Sequence, residues 1–105
     1  MIVVMDITTE NEIHISSAGS ELKLLGSRIR EARLCRNLTQ ALVAESAGVG
    51  RQTVIRIEDG EEGVAIGTYA AVLNVLGILN GWGDIADPEG DRLARAQLRS
   101  RAARR

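Results

Sequence analysis

The chain has 105 residues, enough for one ordinary domain with short tails. Hydrophobic residues make up 45% and aromatic residues only 2%, with no Phe, so the core must be built from Leu, Ile, Val and Ala, which favours packed helices. The net charge is −1, and the apolar runs fall far short of the about 20 residues that a membrane span needs.

That small net charge conceals blocks. Residues 1–22 carry four acids and no Lys or Arg, residues 23–56 seven bases against two acids, residues 57–91 eight acids and no base, and residues 92–105 six arginines and no acid. Local charge, not the pI near 5.8, sets an electrostatic footprint, and the basic block at 23–56 is the segment that matters below. The N-terminus MIVVMDITTE lacks a basic leader and turns acidic early, so it does not read as a signal peptide. Cys35 is the single cysteine, so no internal disulfide forms and a cytoplasmic location is expected. One His, one Cys, no Ser/His/Asp set and no glycine-rich phosphate loop give little from which to build an active site; neither metal nor cofactor is expected, and the chain is read as not an enzyme.

Ile2-Val3-Val4-Met5 is β-prone, and Ile13 and Ile15 alternate with polar neighbours, so residues 1–20 read as a strand or hairpin arm or as a disordered tail. Ser16–Ser20 is a small-residue link. A first helix is expected over Glu21–Arg36, with Leu22, Leu25, Ile29, Ala32 and Leu34 as its buried stripe, Cys35 semi-buried, and Asn37 as its left-handed stop. Thr39 is a good N-cap for a second helix over Gln40–Ala47, in which Leu42, Val43 and Ala44 are apolar. Gly48 ends that helix, Val49 plugs the turn, and Gly50 precedes a third helix over Arg51–Asp59.

In the third helix Val54 and Ile57 point inward, leaving Arg51, Gln52, Thr53, Ile55 and Arg56 outward or sideways. Glu58–Gly63 is an acidic loop. A fourth helix runs from Ile66 or Thr68 to Leu76, closed by Gly77. A short helix around Leu79–Ile85 holds Trp82, the only Trp, as a packing anchor. Pro88 is placed to open a last helix that reaches Ser100 and frays into Arg101–Arg105.

Residues 24–77 resemble the Xre/Cro-type helix-turn-helix of bacterial and phage regulators. The matching elements are Leu25-Gly26-x-Arg28-Ile29-Arg30-x-x-Arg33, Leu38-Thr39-Gln40, Ala44-Glu45-x-Ala47-Gly48-Val49, Arg51-Gln52-Thr53-Val54-x-Arg56-Ile57-Glu58-x-Gly60, and Leu76-Gly77. The resemblance implies an all-α, five-helix, lambda-repressor-like domain over residues 21–79, with the strand-like arm before it and a basic helical extension over 80–105. It also implies a dimer on a pseudo-palindromic double-stranded DNA operator. The residues at Gln40, Arg51, Gln52 and Arg56 match positions that commonly touch DNA in that family.

The chemistry of these residue types fits. Gln52 suits adenine, Arg51 or Arg56 guanine or phosphate, Thr53 a phosphate or thymine methyl, and Arg28 the phosphate backbone. Arg33 and Glu58 match a family pair that braces the first helix to the end of the third. The chain departs from the pattern at Gly50, where a small polar cap is usual, at the apolar Ile55, and at Glu61-Glu62, where the loop is often basic. The C-terminal pattern of Leu76-Gly77-Ile78-Leu79, Asp84, Ala86-Asp87-Pro88, Asp91 and an arginine-rich end is similar to antitoxins paired with HipA-type kinase toxins. That similarity implies a self-repressing antitoxin with a kinase-like toxin partner. A stand-alone phage-type repressor, or an interaction module with faded DNA binding, are the other readings.

Overall fold

The structure is a computed structural model that describes residues 7–103, with side chains from residue 18 onward. The described residues form five α-helices in order: α1 (Ile7–Cys35), α2 (Gln40–Ala47), α3 (Arg51–Glu58), α4 (Ile66–Val75) and α5 (Arg92–Ala103). No strand occurs among the described residues.

The first helix begins further upstream than its sequence pattern indicates. α1 is 29 residues long and passes without a break through Ser16–Ser20 and through the strand-like Glu12–Ile15; Ile2–Met5 lie outside the described residues. The reason is cooperative. Once a helix is nucleated by its packed part, each further residue adds one hydrogen bond for one residue fixed, and two alternating isoleucines are too few to oppose it.

Ile29 is buried, and Leu22, Leu25 and Ala32 pack against the core from α1. Leu34 does not: it is 46% exposed. The inward position one turn after Ile29 is Arg33, so the helix turns Leu34 and Cys35 to solvent. The burial expected of both residues is corrected by that one-position phase. On α2, Val43 and Ala44 are buried while Leu42 is largely exposed.

Four successive helices end in the same way. Residues Asn37, Gly48, Gly60 and Gly77 all have positive φ, and each is followed by a backbone amide that bonds back over the helix end: Leu38 N to Arg33 O, Val49 N to Ala44 O, Glu61 N to Arg56 O and Ile78 N to Leu73 O, at 2.9–3.2 Å. This double-bonded stop satisfies the last carbonyls of each helix and makes the connections short. The core inside them is Ile29, Val43, Ala44, Val54, Ile57, Tyr69, Val72, Leu73 and Leu76, with Trp82 packed at its edge.

Tyr69 is buried, and its hydroxyl donates to the Glu61 carbonyl at 2.8 Å. Burial pushes that hydroxyl above its ordinary value near 10.0; the Glu61 charge adds to the shift and Arg56 opposes it. A raised tyrosine favours the neutral form in the fold. Its contribution is therefore whole below about pH 10 and is lost as pH rises through the folded value. Tyr69→Phe is expected to cost about 1 kcal/mol at neutral pH and to flatten the stability loss above pH 10, read from urea midpoints across alkaline pH.

Beyond α4 the chain differs from the sequence reading. The segment around Trp82 is a single 3-10 turn over Trp82–Asp84, and Pro88 opens another over Pro88–Gly90, not the last α-helix. Asp91 is the effective cap: its carboxylate accepts from the amides of Leu93 and Ala94 at 3.0 and 3.2 Å, so α5 starts at Arg92. Alanines and arginines, both good helix formers, carry it to Ala103.

Candidate nucleic-acid interface

α2 and α3 are two eight-residue helices joined only by Gly48-Val49-Gly50. Thr39 caps α2 with its hydroxyl, which accepts from Leu42 N at 3.0 Å. Gly50 is the N-cap of α3 and gives it no side-chain hydrogen bond. Val54, Ile57 and Glu58 bury one side of α3. The other side is left to Arg51 and Gln52, which are exposed, and to Thr53, Ile55 and Arg56, which are half-buried. Gln52 and Arg56, one turn apart, lie opposite the buried side.

The frame that holds α3 is polar and buried. Arg33 is 7% exposed and Glu58 8%. Arg33 Nε donates to Glu58 Oε2 at 2.6 Å and Nη2 to Oε1 at 3.0 Å, a two-point guanidinium–carboxylate contact. Nη1 donates to the Leu38 carbonyl at 3.0 Å, so one side chain ties α1, the α1–α2 turn and the end of α3. The hydrogen bond to Glu58 raises the Arg33 pKa above its already high ordinary value, outweighing desolvation. Gln40 joins this frame: its Nε2 donates to Glu58 Oε1 at 3.1 Å. Half of the Gln40 amide is therefore committed to the scaffold, and its remaining polar atoms stay at the first turn of α2.

Arg30, Thr39, Gln40 and Arg51 line one concave surface over the N-terminus of α2. Neither Arg30 nor Arg51 forms an ion pair with the described residues. Two guanidiniums beside a helix N-terminus, whose free amides and dipole favour anions, form a suitable seat for a phosphate. Arg28 is exposed but does not line this surface; Arg30, two residues on, takes that place. The sequence did signal Arg30, which stands in the same matching run, but a residue's flank on α1 depends on the helix phase.

Arg56 is the other departure. Its Nε is 2.9 Å from Glu61 Oε1, with the two side chains 43% and 44% exposed. The acidic loop thus folds back onto the outward side of α3. The pair is solvated and weak, about 0–1 kcal/mol, so it biases Arg56 without locking it.

A family model described as a helix-turn-helix domain matches residues 24–80, which is 57 of the 105 residues. The chain belongs to this helix-turn-helix family, and it is a DNA-binding protein of that class. No curated protein matches the chain. Among the described residues, no group of three or more His, Cys, Asp or Glu gathers where a metal ion could sit, and no helix is long and apolar enough to cross a membrane.

Proposed function

We propose that this chain is a cytoplasmic, sequence-specific transcriptional repressor that binds a pseudo-palindromic operator as a homodimer. We further infer that it is the autoregulating antitoxin of a type II pair whose toxin is kinase-like. The observation that carries the DNA-reading part is the division of α3: Val54, Ile57 and Glu58 fasten it to the core, while Arg51 and Gln52 stand exposed, and Arg51 shares a concave surface with Arg30.

In this reading α3 enters the major groove. Gln52 reads adenine through its side-chain amide; Arg51 and Arg56 read guanine or hold phosphate. Thr53 touches a phosphate or a thymine methyl. Arg30 and Gln40 seat a phosphate at the start of α2, with Arg28 on the backbone farther along α1. A domain this small makes few base contacts, so two copies are needed, with recognition helices about 34 Å apart.

Selection from a random duplex library followed by footprinting tests the reading. An enriched two-fold site, protected also near the protein's own promoter, is the expected outcome; a library that stays random counts against it. The antitoxin assignment is supported by the resemblance of the C-terminal segment, and it predicts a neighbouring gene for a kinase-like protein that co-purifies with this chain.

The Arg56–Glu61 pair favours a second reading, a protein-interaction module with weakened DNA binding. Glu61→Gln separates the two. If Arg56 works at DNA, the variant binds duplex DNA more tightly and the slope of log K against log salt steepens by about 0.9, one further phosphate contact. If affinity and slope do not change, Arg56 is not at the DNA.

A further inference from the structure

We propose that α5 of one chain docks into an apolar groove on a second copy, and that the second copy returns the contact. The inference rests on the dimeric part of the reading above and names its interface.

The groove has a volume of about 360 Å³ and lies away from the phosphate seat, between α1, the acidic loop, the start of α4 and the Trp82 turn. Leu22, Val64, Ile66, Trp82 and Ile85 form its apolar walls, and Glu61 and Glu62 lie on it. Ile66 and Ile85 are 73% and 70% exposed, an apolar surface unusual for residues with nothing to cover them.

α5 is the complementary body. It has no buried residue and packs chiefly on the Pro88–Gly90 turn before it. At 3.6 residues per turn, Ala94, Leu98 and Ala102 share one side, on which Leu98 is 46% exposed; Leu93 lies on another side of the helix. Arg95 and Arg101 flank Leu98 at i−3 and i+3, where they can reach acids on a groove that receives Leu98.

Charge points to the same pairing. Residues 57–91 carry eight acids and no base, while residues 92–105 carry six arginines and no acid, so the helix of one copy is attracted to the groove of another. Every chain has one groove and one helix, so a two-fold axis satisfies both at once, and the contact closes. The arrival of arginines at Glu61 also gives that carboxylate an alternative to Arg56, which links pairing of the chains to release of a base-reading arginine.

The test uses the full chain and its single Trp. Sedimentation equilibrium is expected to show a dimer, and Trp82 emission is expected to shift to shorter wavelength as concentration drives association. Leu98→Asp should weaken the dimer by roughly a hundredfold and abolish the shift, because the leucine is lost from both symmetric contacts. Leu98 is exposed in the single chain, so the helical circular dichroism should stay intact. Ile85→Asp should weaken the dimer from the groove side.

Mixing these two variants should restore partial dimer, since the helix of the Ile85 variant still fits the groove of the leucine variant. Three results overturn the proposal: a leucine variant that dimerises like the parent, mixed variants that recover nothing, or a Trp82 shift that is independent of concentration because α5 covers its own chain. Dimers that persist in the leucine variant sink this interface alone. Absence of sequence preference on DNA sinks the functional reading instead.

Discussion

Glu58→Ala is expected to remove about 3–5 kcal/mol of stability, because it leaves Arg33 charged and buried without its partner. Folded domains have only about 5–15 kcal/mol in hand, so this one substitution removes a large part of the margin. The side chain is lost from three places at once: the Nε and Nη2 contacts of Arg33 and the Gln40 amide all end on this one carboxylate. Glu58→Gln retains an oxygen acceptor and should fall between the two. Urea midpoints read by circular dichroism measure this directly. A loss under about 1 kcal/mol would be the behaviour of a solvated pair and would contradict the account. The Arg56–Glu61 pair supplies the contrast, with the same chemistry at 43% and 44% exposure and an expected stability effect near zero.

Gly26→Ala is the second large effect, and two forces compete for its sign. In a helix interior Ala is better than Gly by about 0.8–1.0 kcal/mol. A Cβ at Gly26, however, would lie 2.5 Å from the Ile57 carbonyl oxygen, 2.7 Å from that of Glu58 and 2.8 Å from Gly60 N. All three are backbone atoms, so no rotamer change relieves the clash. Gly60 closes the approach from the other side: its own added Cβ would meet the Leu22 carbonyl oxygen at 2.6 Å, and its φ is +70°. The overlap wins, and the variant is expected to lose about 3 kcal/mol as α1 is pushed off the end of α3. Gly67→Ala is the control. It sits in α4 with open space around its Cβ and should gain about 0.5–1 kcal/mol. Thermal melts of the two variants should therefore move in opposite directions; a Gly26→Ala protein as stable as the parent would contradict the close approach of α1 and α3.

Much of this was legible in the residues. Thr39, Gly48 and Gly77 mark helix ends through chemistry that acts within a few positions, so α2 and the boundaries of α3 and α4 follow from local signals. Gly26 stands in the matching run, but nothing local shows its role, because the backbone that approaches it lies more than thirty residues away. What the sequence hid was phase and distance. Leu34 reads as core because it is apolar, yet the helix gives the inward place to Arg33. Arg30 and Arg28 are equivalent by composition, and only the turn of α1 separates them. The pull of Glu61 on Arg56 needs a loop conformation that charge patterning cannot supply. Pro88 looks like a helix start, but the capping carboxylate that settles the matter belongs to Asp91.

If the exposed side of α3 reads base sequence, Gln52 is the most direct probe of it. Fluorescence anisotropy would follow the parent and Gln52→Ala on the selected operator and on a scrambled duplex, at matched salt. The parent is expected to prefer the operator by about a thousandfold or more. Gln52→Ala is expected to lose about 1–3 kcal/mol on the operator, with little change on the scrambled duplex. A parent that binds both duplexes equally, or a Gln52→Ala protein with undiminished preference, would contradict this role of α3.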